Sequence, residues 1–301
     1  MNNPWEAEFP VTADDAERLI RDQFPELGSI RLQNFGQGWD NTAYLVNDTY
    51  IFRFPRRPLA VELIQVEQRA LPLLAKLLPI PIPDPVFQGR PTPAYPHPFA
   101  GYRKLPGRSA CRANLTQAQR TALAEPLGRF LKELHHMGTR MNQKALPGDQ
   151  LGRTNFTKLK TRILETIEQL RADFPSRYGP AAAALLATDP RYHPRRDLLI
   201  HGDLYLRHLL VDERARLVGV IDWGDLHLGD PAPDLSIAWT LLPAGAHHLF
   251  RAAYGPISPE SWHMARLRAL NYGVILRRYG LDQADADLIR ESAFMLEQTL
   301  G

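Results

Sequence analysis

Residues 13–23 distribute apolar and polar positions in an amphipathic helical pattern behind Thr12, with Asp15 three positions after Thr12. This pattern predicts an amphipathic helix closed at its start by an acidic form of the capping box. The period then changes to two. Residues 30–35, 42–46 and 49–54 are short runs rich in β-branched and aromatic side chains, separated by Gly36-Gln37-Gly38-Trp39-Asp40-Asn41 and by Asn47-Asp48. They predict a three-stranded antiparallel meander. Leu59, Leu63, Val66 and Ala70 return to helical spacing, and Pro72 is expected to kink or restart that helix. Two further strands are expected at residues 86–88 and 101–105, and Leu105-Pro106-Gly107 reads as a hinge.

Beyond the hinge, residues 117–136, 157–173, 243–253, 259–279 and 282–299 carry Leu, Ile and Ala at helical spacing. Between the second and third of these runs stand three short apolar segments, at 197–200, 209–211 and 217–221. A five-stranded lobe over residues 1–105, followed by a mainly helical lobe over 106–301 with a small embedded hairpin, is an α+β plan and not an alternating βαβ one. No repeat of 20 to 50 residues is visible.

A length of 301 residues fits two lobes, and 44% hydrophobic with 23% charged residues is an ordinary globular composition. No apolar run approaches a membrane span, and the start of the chain carries no basic segment followed by an apolar core, so a cytoplasmic protein without membrane partners is the expectation. The single cysteine, Cys111, excludes an internal disulfide and a cysteine-rich zinc site, and it reads as an inert thiol. The net charge is only +3, with Arg pairs scattered far apart, which argues against a nucleic-acid partner. Proline is the unusual count. Eight of the 26 lie between Pro79 and Pro98, predicting an extended segment anchored by Ile80, Ile82, Val86 and Phe87.

The densest cluster of ionisable residues runs from His201 to Asp234, as His201-Gly202-Asp203-Leu204, Ile221-Asp222-Trp223-Gly224-Asp225 and Gly229-Asp230-Pro231-Ala232-Pro233-Asp234. Each group ends or interrupts an apolar strand, so several carboxylates can converge on one mouth with a hydroxyl, a divalent cation and phosphate oxygens. In this order the three groups resemble the signature of the aminoglycoside phosphotransferases and related small-molecule kinases with a protein-kinase-like two-lobe fold. The resemblance runs from the turn at Gly36 to about Trp239.

That resemblance implies a kinase that uses Mg²⁺ and ATP or GTP to phosphorylate a hydroxyl of a small molecule, a macrolide or an aminoglycoside antibiotic among them. Asp203 is implied as catalytic base and Asp222 as magnesium ligand. His208 stands where most of the family has an asparagine as second metal ligand, and a histidine there resembles the macrolide and 2″-aminoglycoside phosphotransferases, which often prefer GTP. In the first lobe Gly36, Gly38 and Asn41 are implied near the phosphates, although two glycines at one turn equally describe a hairpin. Arg53 stands where the family has a phosphate-binding lysine, Glu67 resembles its helix partner or is a solvated helix face, and Lys104 and Leu105 would offer backbone groups to the base.

Plainer roles compete for several residues. His135-His136 is expected to favour a helix C-terminus through its charge, His201 to brace the catalytic loop, Asp230 and Asp234 to tie that loop to the next helix, and Trp223 to be core or to line the nucleotide pocket. A metal hydrolase using His201, Asp203, His208, Asp222 and His227 is one alternative function, and a nucleotide-binding pseudokinase is another. No HExxH helix, Walker A loop, GxSxG elbow or Rossmann GxGxxG is present. From Ser236 onward six acids balance six arginines, which gives no support for a highly cationic acceptor, and a macrolide-like acceptor is slightly preferred, mainly from His208.

Overall fold

The computed structural model describes residues 8–37, 40–138, 146–187 and 192–301. The chain divides between Leu105 and Pro106 into two compact units. Among the described residues no helix is long and apolar enough to cross a membrane.

In the first unit, helix α1 (Ala13–Gln23) begins in the expected capping box, with Thr12 and Asp15 satisfying each other's backbone N–H groups. Strands β1 (Leu32–Gln37), β2 (Asn41–Val46), β3 (Tyr50–Pro55), β4 (Pro85–Gly89) and β5 (Phe99–Arg103) form one sheet in the order β1-β2-β3-β5-β4, antiparallel throughout. Alternation along β3 decides what each face does. Phe52 and Phe54 are fully buried among α1, Tyr44 and Phe99. Arg53, between them, therefore points to the opposite face, toward helix α2 (Pro58–Leu77).

Helix α2 is continuous from Pro58 to Leu77 with Pro72 inside it, so the helix does not restart there. Pro72 withholds one ladder donor, but burial of Ala70, Leu71 and Leu74 around it holds the helix together. In the proline-rich stretch Leu78, Ile80 and Ile82 are buried while Pro79 and Pro81 are exposed, an extended chain with one face inward. Val86 is exposed, contrary to its expected anchoring role, because the β4 register shifts between Pro85 and Phe87.

In the second unit, strands β6 (Arg108–Ser109), β8 (Leu209–Val211) and β9 (Leu217–Val220) form a small antiparallel sheet, and β7 (Leu198–Ile200) pairs with β10 (His227–Gly229). Helices α3 (Gln117–Ala122), α4 (Ala124–Met137), α5 (Phe156–Leu170), α6 (Gly179–Ala187), α7 (Ala232–Leu241), α8 (His247–Tyr254), α9 (Pro259–Asp282) and α10 (Ala286–Leu300) supply the rest. Helix α7 packs on α9 and α10 and is buried nearly all round, so it carries no amphipathic period. Arg120 and Glu291, both almost fully buried, tie α3 to α10 through an ion pair of 2.6 Å.

Candidate active site

The second unit's site is built on the loop that follows β7. Gly202 sits at φ +83°, and a Cβ there would lie 2.4 Å from the Asp225 carbonyl oxygen, so only glycine fits between His201 and Asp203. Asp234, in the first turn of α7, accepts the backbone N–H of His201 at 2.8 Å and of Gly202 at 2.9 Å, and faces His135 Nε2 at 3.1 Å. Burial alone would push its carboxyl up, but the His135 hydrogen bond and charge, with His201, hold it below the usual carboxylate range. His135 is thus a buried strut in the last turn of α4, with Nδ1 2.7 Å from the Tyr254 hydroxyl and Nε2 facing Asp234.

His201 is fully buried, and that burial pulls its pKa below the ordinary histidine value. Nε2 donates to the Ile221 carbonyl at 3.0 Å, so Nδ1 is the acceptor and faces the Asp203 N–H at 3.4 Å. One neutral imidazole therefore joins the loop after β7 to the loop after β9. Asp230 accepts from the backbone of Arg195, ahead of β7, and of Ala232, at the start of α7, so it ties that segment to the helix, and the tie to the loop itself falls to Asp234 alone. Trp223 is fully buried, with its indole N–H on the Val220 carbonyl, and serves as core.

Asp203 and Asp222 are separated by a single imidazole. His208 Nδ1 donates to the Asp203 carbonyl at 2.8 Å, and Nε2 lies 3.2 Å from Asp222 Oδ2. Burial would lower the His208 pKa, but Asp222 and then Asp203 raise it above the ordinary value. Oxygen atoms face both ring nitrogens, the Asp203 carbonyl at Nδ1 and the Asp222 carboxylate at Nε2. A hard divalent cation prefers oxygen donors, which the half-exposed Asp222 carboxylate offers, and the Nε2 face of His208 lies beside it. Asp222 also holds φ +66°, a conformation disfavoured for a non-glycine residue by roughly 1–3 kcal/mol and common where a side chain is aimed for function.

The Asp203 carboxylate is placed by residues the motifs did not single out. The Tyr272 hydroxyl, from α9, donates to Oδ1 at 2.6 Å, and Arg153 Nη1 stands 3.6 Å from the same oxygen. Among the described residues the hydrogen bond to this carboxylate falls on Oδ1, the oxygen nearest Arg153 as well, leaving Oδ2 without a hydrogen bond. Burial would raise its pKa, but Arg153, His208 and the Tyr272 hydrogen bond lower it, so Asp203 is ionised. Arg153 is itself anchored by Asp225 at 2.5 Å, and Tyr272 by stacking on Tyr205 with ring centroids 5.0 Å apart. Tyr272 was visible in the sequence only as one of several aromatics, and Arg153 precedes its helix in a loop without a motif.

In the first unit, Arg53 Nη1 reaches both Glu67 oxygens, at 3.0 and 2.9 Å, and the Tyr102 hydroxyl donates to Glu67 at 2.6 Å. Glu67 is 1% exposed, so it is the partner of Arg53 and not a solvated helix residue. Gly36 and Asn41 lie at the facing ends of β1 and β2, and Gly38 and Trp39 are outside the described residues. Asn41 Oδ1 is buried with no hydrogen-bond partner among the described residues. The Lys104 N–H donates to the Thr49 carbonyl, which leaves its carbonyl and the Leu105 backbone as groups to offer a base. Cys111 is buried, and burial pushes its thiol up to about 11.

The hydrolase alternative finds no support in this arrangement. Among the described residues no group of three or more His, Cys, Asp or Glu side chains is placed to hold a metal ion.

Comparison with known proteins places this geometry among relatives. The family model described as "Phosphotransferase enzyme family" matches residues 31–270. A solved structure of the GDP and kanamycin complex of APH(2")-IIia is similar over 94% of this chain and 97% of its own, with 27% identity and a TM-score of 0.64. The GDP complex of wild-type aminoglycoside 2'-phosphotransferase-IIIa is 26% identical, covering 96% of this chain and 98% of that one, with a TM-score of 0.66. The apoenzyme of macrolide 2'-phosphotransferase MphH from Brachybacterium faecium, 23% identical over 89% of this chain and 92% of its own, shares the fold at a TM-score of 0.54. A curated relative, the uncharacterized protein YcbJ of Bacillus subtilis (strain 168), is 40% identical over 53 residues. That match spans 18% of this chain and only 17% of the length of YcbJ.

Proposed function

Since the chain belongs to the phosphotransferase enzyme family, we propose that it is a small-molecule kinase that moves the γ-phosphoryl group of ATP or GTP to an alcohol, with Asp203 as its catalytic base. The observation that carries this reading is the Asp203 carboxylate, ionised, pinned through Oδ1 and open at Oδ2, one histidine away from a cation-competent Asp222. In the reaction the acceptor oxygen forms a bond to the γ-phosphorus as the bond from that phosphorus to the β,γ-bridging oxygen breaks. The hydroxyl proton passes to Asp203, and the nucleoside diphosphate leaves.

A lowered pKa makes Asp203 a weak base, which suits a loose transition state in which the hydroxyl needs orientation more than early deprotonation. Asp222 would hold Mg²⁺, which when bound neutralises charge on the β- and γ-phosphate oxygens. His208 fixes the Asp222 carboxylate and the Asp203 backbone together, as a positioning residue. In the first unit, Arg53 presents a guanidinium for phosphate, held in place by Glu67, and Gly36, Asn41 and the Leu105 backbone complete the groups assigned to the nucleotide. The GDP bound in the two aminoglycoside phosphotransferase structures supports a nucleotide donor.

The test is purified protein with Mg²⁺ and either ATP or GTP, assayed for acceptor-dependent release of nucleoside diphosphate against a panel of alcohols, macrolides and aminoglycosides. Asp203→Ala and Asp222→Ala are expected to abolish transfer. Wild-type rates in both variants would defeat the assignment, and tight nucleotide binding with no transfer to any acceptor would identify a pseudokinase instead.

A further inference from the structure

Arg268, on α9, is only 3% exposed, yet among the described residues no carboxylate lies within ion-pair distance of it. Its Nε has no hydrogen-bond partner among those residues, and one terminal nitrogen, Nη2, donates to the Tyr272 hydroxyl at 3.2 Å. That hydroxyl in turn donates to Asp203, so a buried guanidinium without an ion pair, lying over the Tyr272 ring at 5.0 Å, stands two hydrogen bonds from the catalytic carboxylate. The Tyr272 ring and the Asp203 charge offset part of the cost of burying this cation, and what stays unmet is the Nε donor and a direct ion pair, which an anion from outside the chain would supply.

Two more arginines share the neighbourhood. Arg153 lies 3.6 Å from Asp203 and ion-pairs with Asp225. Arg162 is an exposed residue of α5, the helix that packs on α9, and the charges of Arg268 and Arg153 act on it, after its own desolvation, to lower its pKa. The nearby acids are committed. Asp225 holds Arg153, and Asp149 accepts the backbone of Arg153 and Thr154. Farther along, Asp282, Asp285, Asp287, Glu291 and Glu297 all pair with arginines other than Arg268. Nothing in this set offers a carboxylate to an ammonium group.

We propose that the alcohol phosphorylated by this protein carries an anionic group, a carboxylate or a phosphate ester, and that Arg268 receives it with Arg153 and Arg162 beside it. This substrate class rests on the kinase reading above. A polycationic acceptor meets three positive charges beside Asp203 and is selected against. An anionic one completes the charge of Arg268 and brings its hydroxyl to the open Asp203 oxygen.

The experiment compares kcat/KM for matched acceptors: glycerol, D-glycerate and glycerol 3-phosphate, then sorbitol, D-gluconate and sorbitol 6-phosphate, with kanamycin as the polycation. At least one anionic member is expected to exceed its neutral parent by about ten- to hundredfold, the range of a hydrogen bond to a charged group, and the better arm identifies carboxylate or phosphate. Arg268→Met should erase that preference and Arg268→Lys should keep part of it. Unliganded Arg268→Met is expected to unfold at the same temperature as wild type or higher, because it removes a buried unpaired charge, whereas a purely structural arginine would lower it.

Transfer to kanamycin or to the neutral parents in preference to every anion overturns the inference and leaves the kinase reading standing. An anion preference that survives Arg268→Met also overturns it. If no acceptor supports nucleotide turnover, calorimetry with the same anions decides: binding lost in Arg268→Met sustains the anion site without the kinase, and no binding to wild type removes both.

Discussion

Tyr272→Phe separates the hydrogen bonds of the Tyr272 hydroxyl, to Asp203 and from Arg268, from the packing of its ring. The phenol donates 2.6 Å to Asp203 Oδ1, while its ring stacks on Tyr205 at an interplanar angle of 16°. Phenylalanine keeps the stack and loses the hydroxyl, which is both the donor to Asp203 and the acceptor of Arg268. A hydrogen bond to an ionised group contributes about 1.5–3 kcal/mol, and each 1.4 kcal/mol is a factor of ten in rate, so the hydrogen bond bounds the loss at about 10- to 100-fold. That loss falls on kcat because the freed carboxylate can swing onto Arg153, already 3.6 Å from Oδ1, and turn its open oxygen away from the acceptor. The nucleotide KM should move by less than about twofold, since neither Arg53 nor Asp222 is touched, on the order of what uniform-binding logic allows. Steady-state release of nucleoside diphosphate, with a thermal melt alongside, reads all three quantities. A wild-type kcat would show the hydrogen bond to be incidental, and a fall in melting temperature matching the fall in rate would make Tyr272 a packing residue.

Other perturbations follow from the same contacts. Asp234→Asn sets an amide NH₂ among three donors, His201 N–H, Gly202 N–H and His135, and is expected to cost about 3–5 kcal/mol in urea unfolding. Because the folded Asp234 pKa lies below its unfolded value, its contribution is present at neutral pH and is lost as pH falls below about 4 through the folded value, so the acid limb of stability should flatten in that variant. Glu67→Gln removes the charge that holds Arg53 and should raise the nucleotide KM several-fold, on the order of fivefold for about 1 kcal/mol, with little change in acceptor KM, measured by varying each substrate in turn. Cys111, buried with its thiol pushed up to about 11, should resist iodoacetamide at pH 8 in the folded protein and react on unfolding, as followed by mass spectrometry.

What the sequence disclosed tracks how local each signal is. The Thr12 cap, the three strands of the meander and the antiparallel sheet were readable because period-two alternation and capping chemistry act within a few residues. Helix α7 escaped because it is apolar on every side, and α6 because its Ala-rich run has no polar face; a periodicity test needs contrast between faces. Strands β6 and β10 are two and three residues long and exist through their pairing partners, β8 and β7, distant in sequence. The site divides in the same way. Asp203, Asp222 and Asp234 lie within one stretch of 32 residues and announce themselves as a motif. Arg153, Arg268 and Tyr272 converge on Asp203 from the loop before α5 and from α9, and no spacing rule connects them to it.

The same convergence explains how one carboxylate can be both buried among cations and useful. Arg153, His208 and Arg268 lower its proton affinity, which would be a defect if the reaction needed a strong base. Phosphoryl transfer through a loose transition state asks for little proton transfer until the new bond is nearly made, so the demand on Asp203 is geometric. Tyr272 meets that demand through one oxygen, and the cations keep the other ionised and available as an acceptor. The surplus of positive charge then falls on the acceptor side, where it acts on substrate choice. A charge set built to fix a catalytic aspartate thereby becomes a filter, rejecting ammonium-rich alcohols by the long-range repulsion that a partly desolvated site transmits far better than water does.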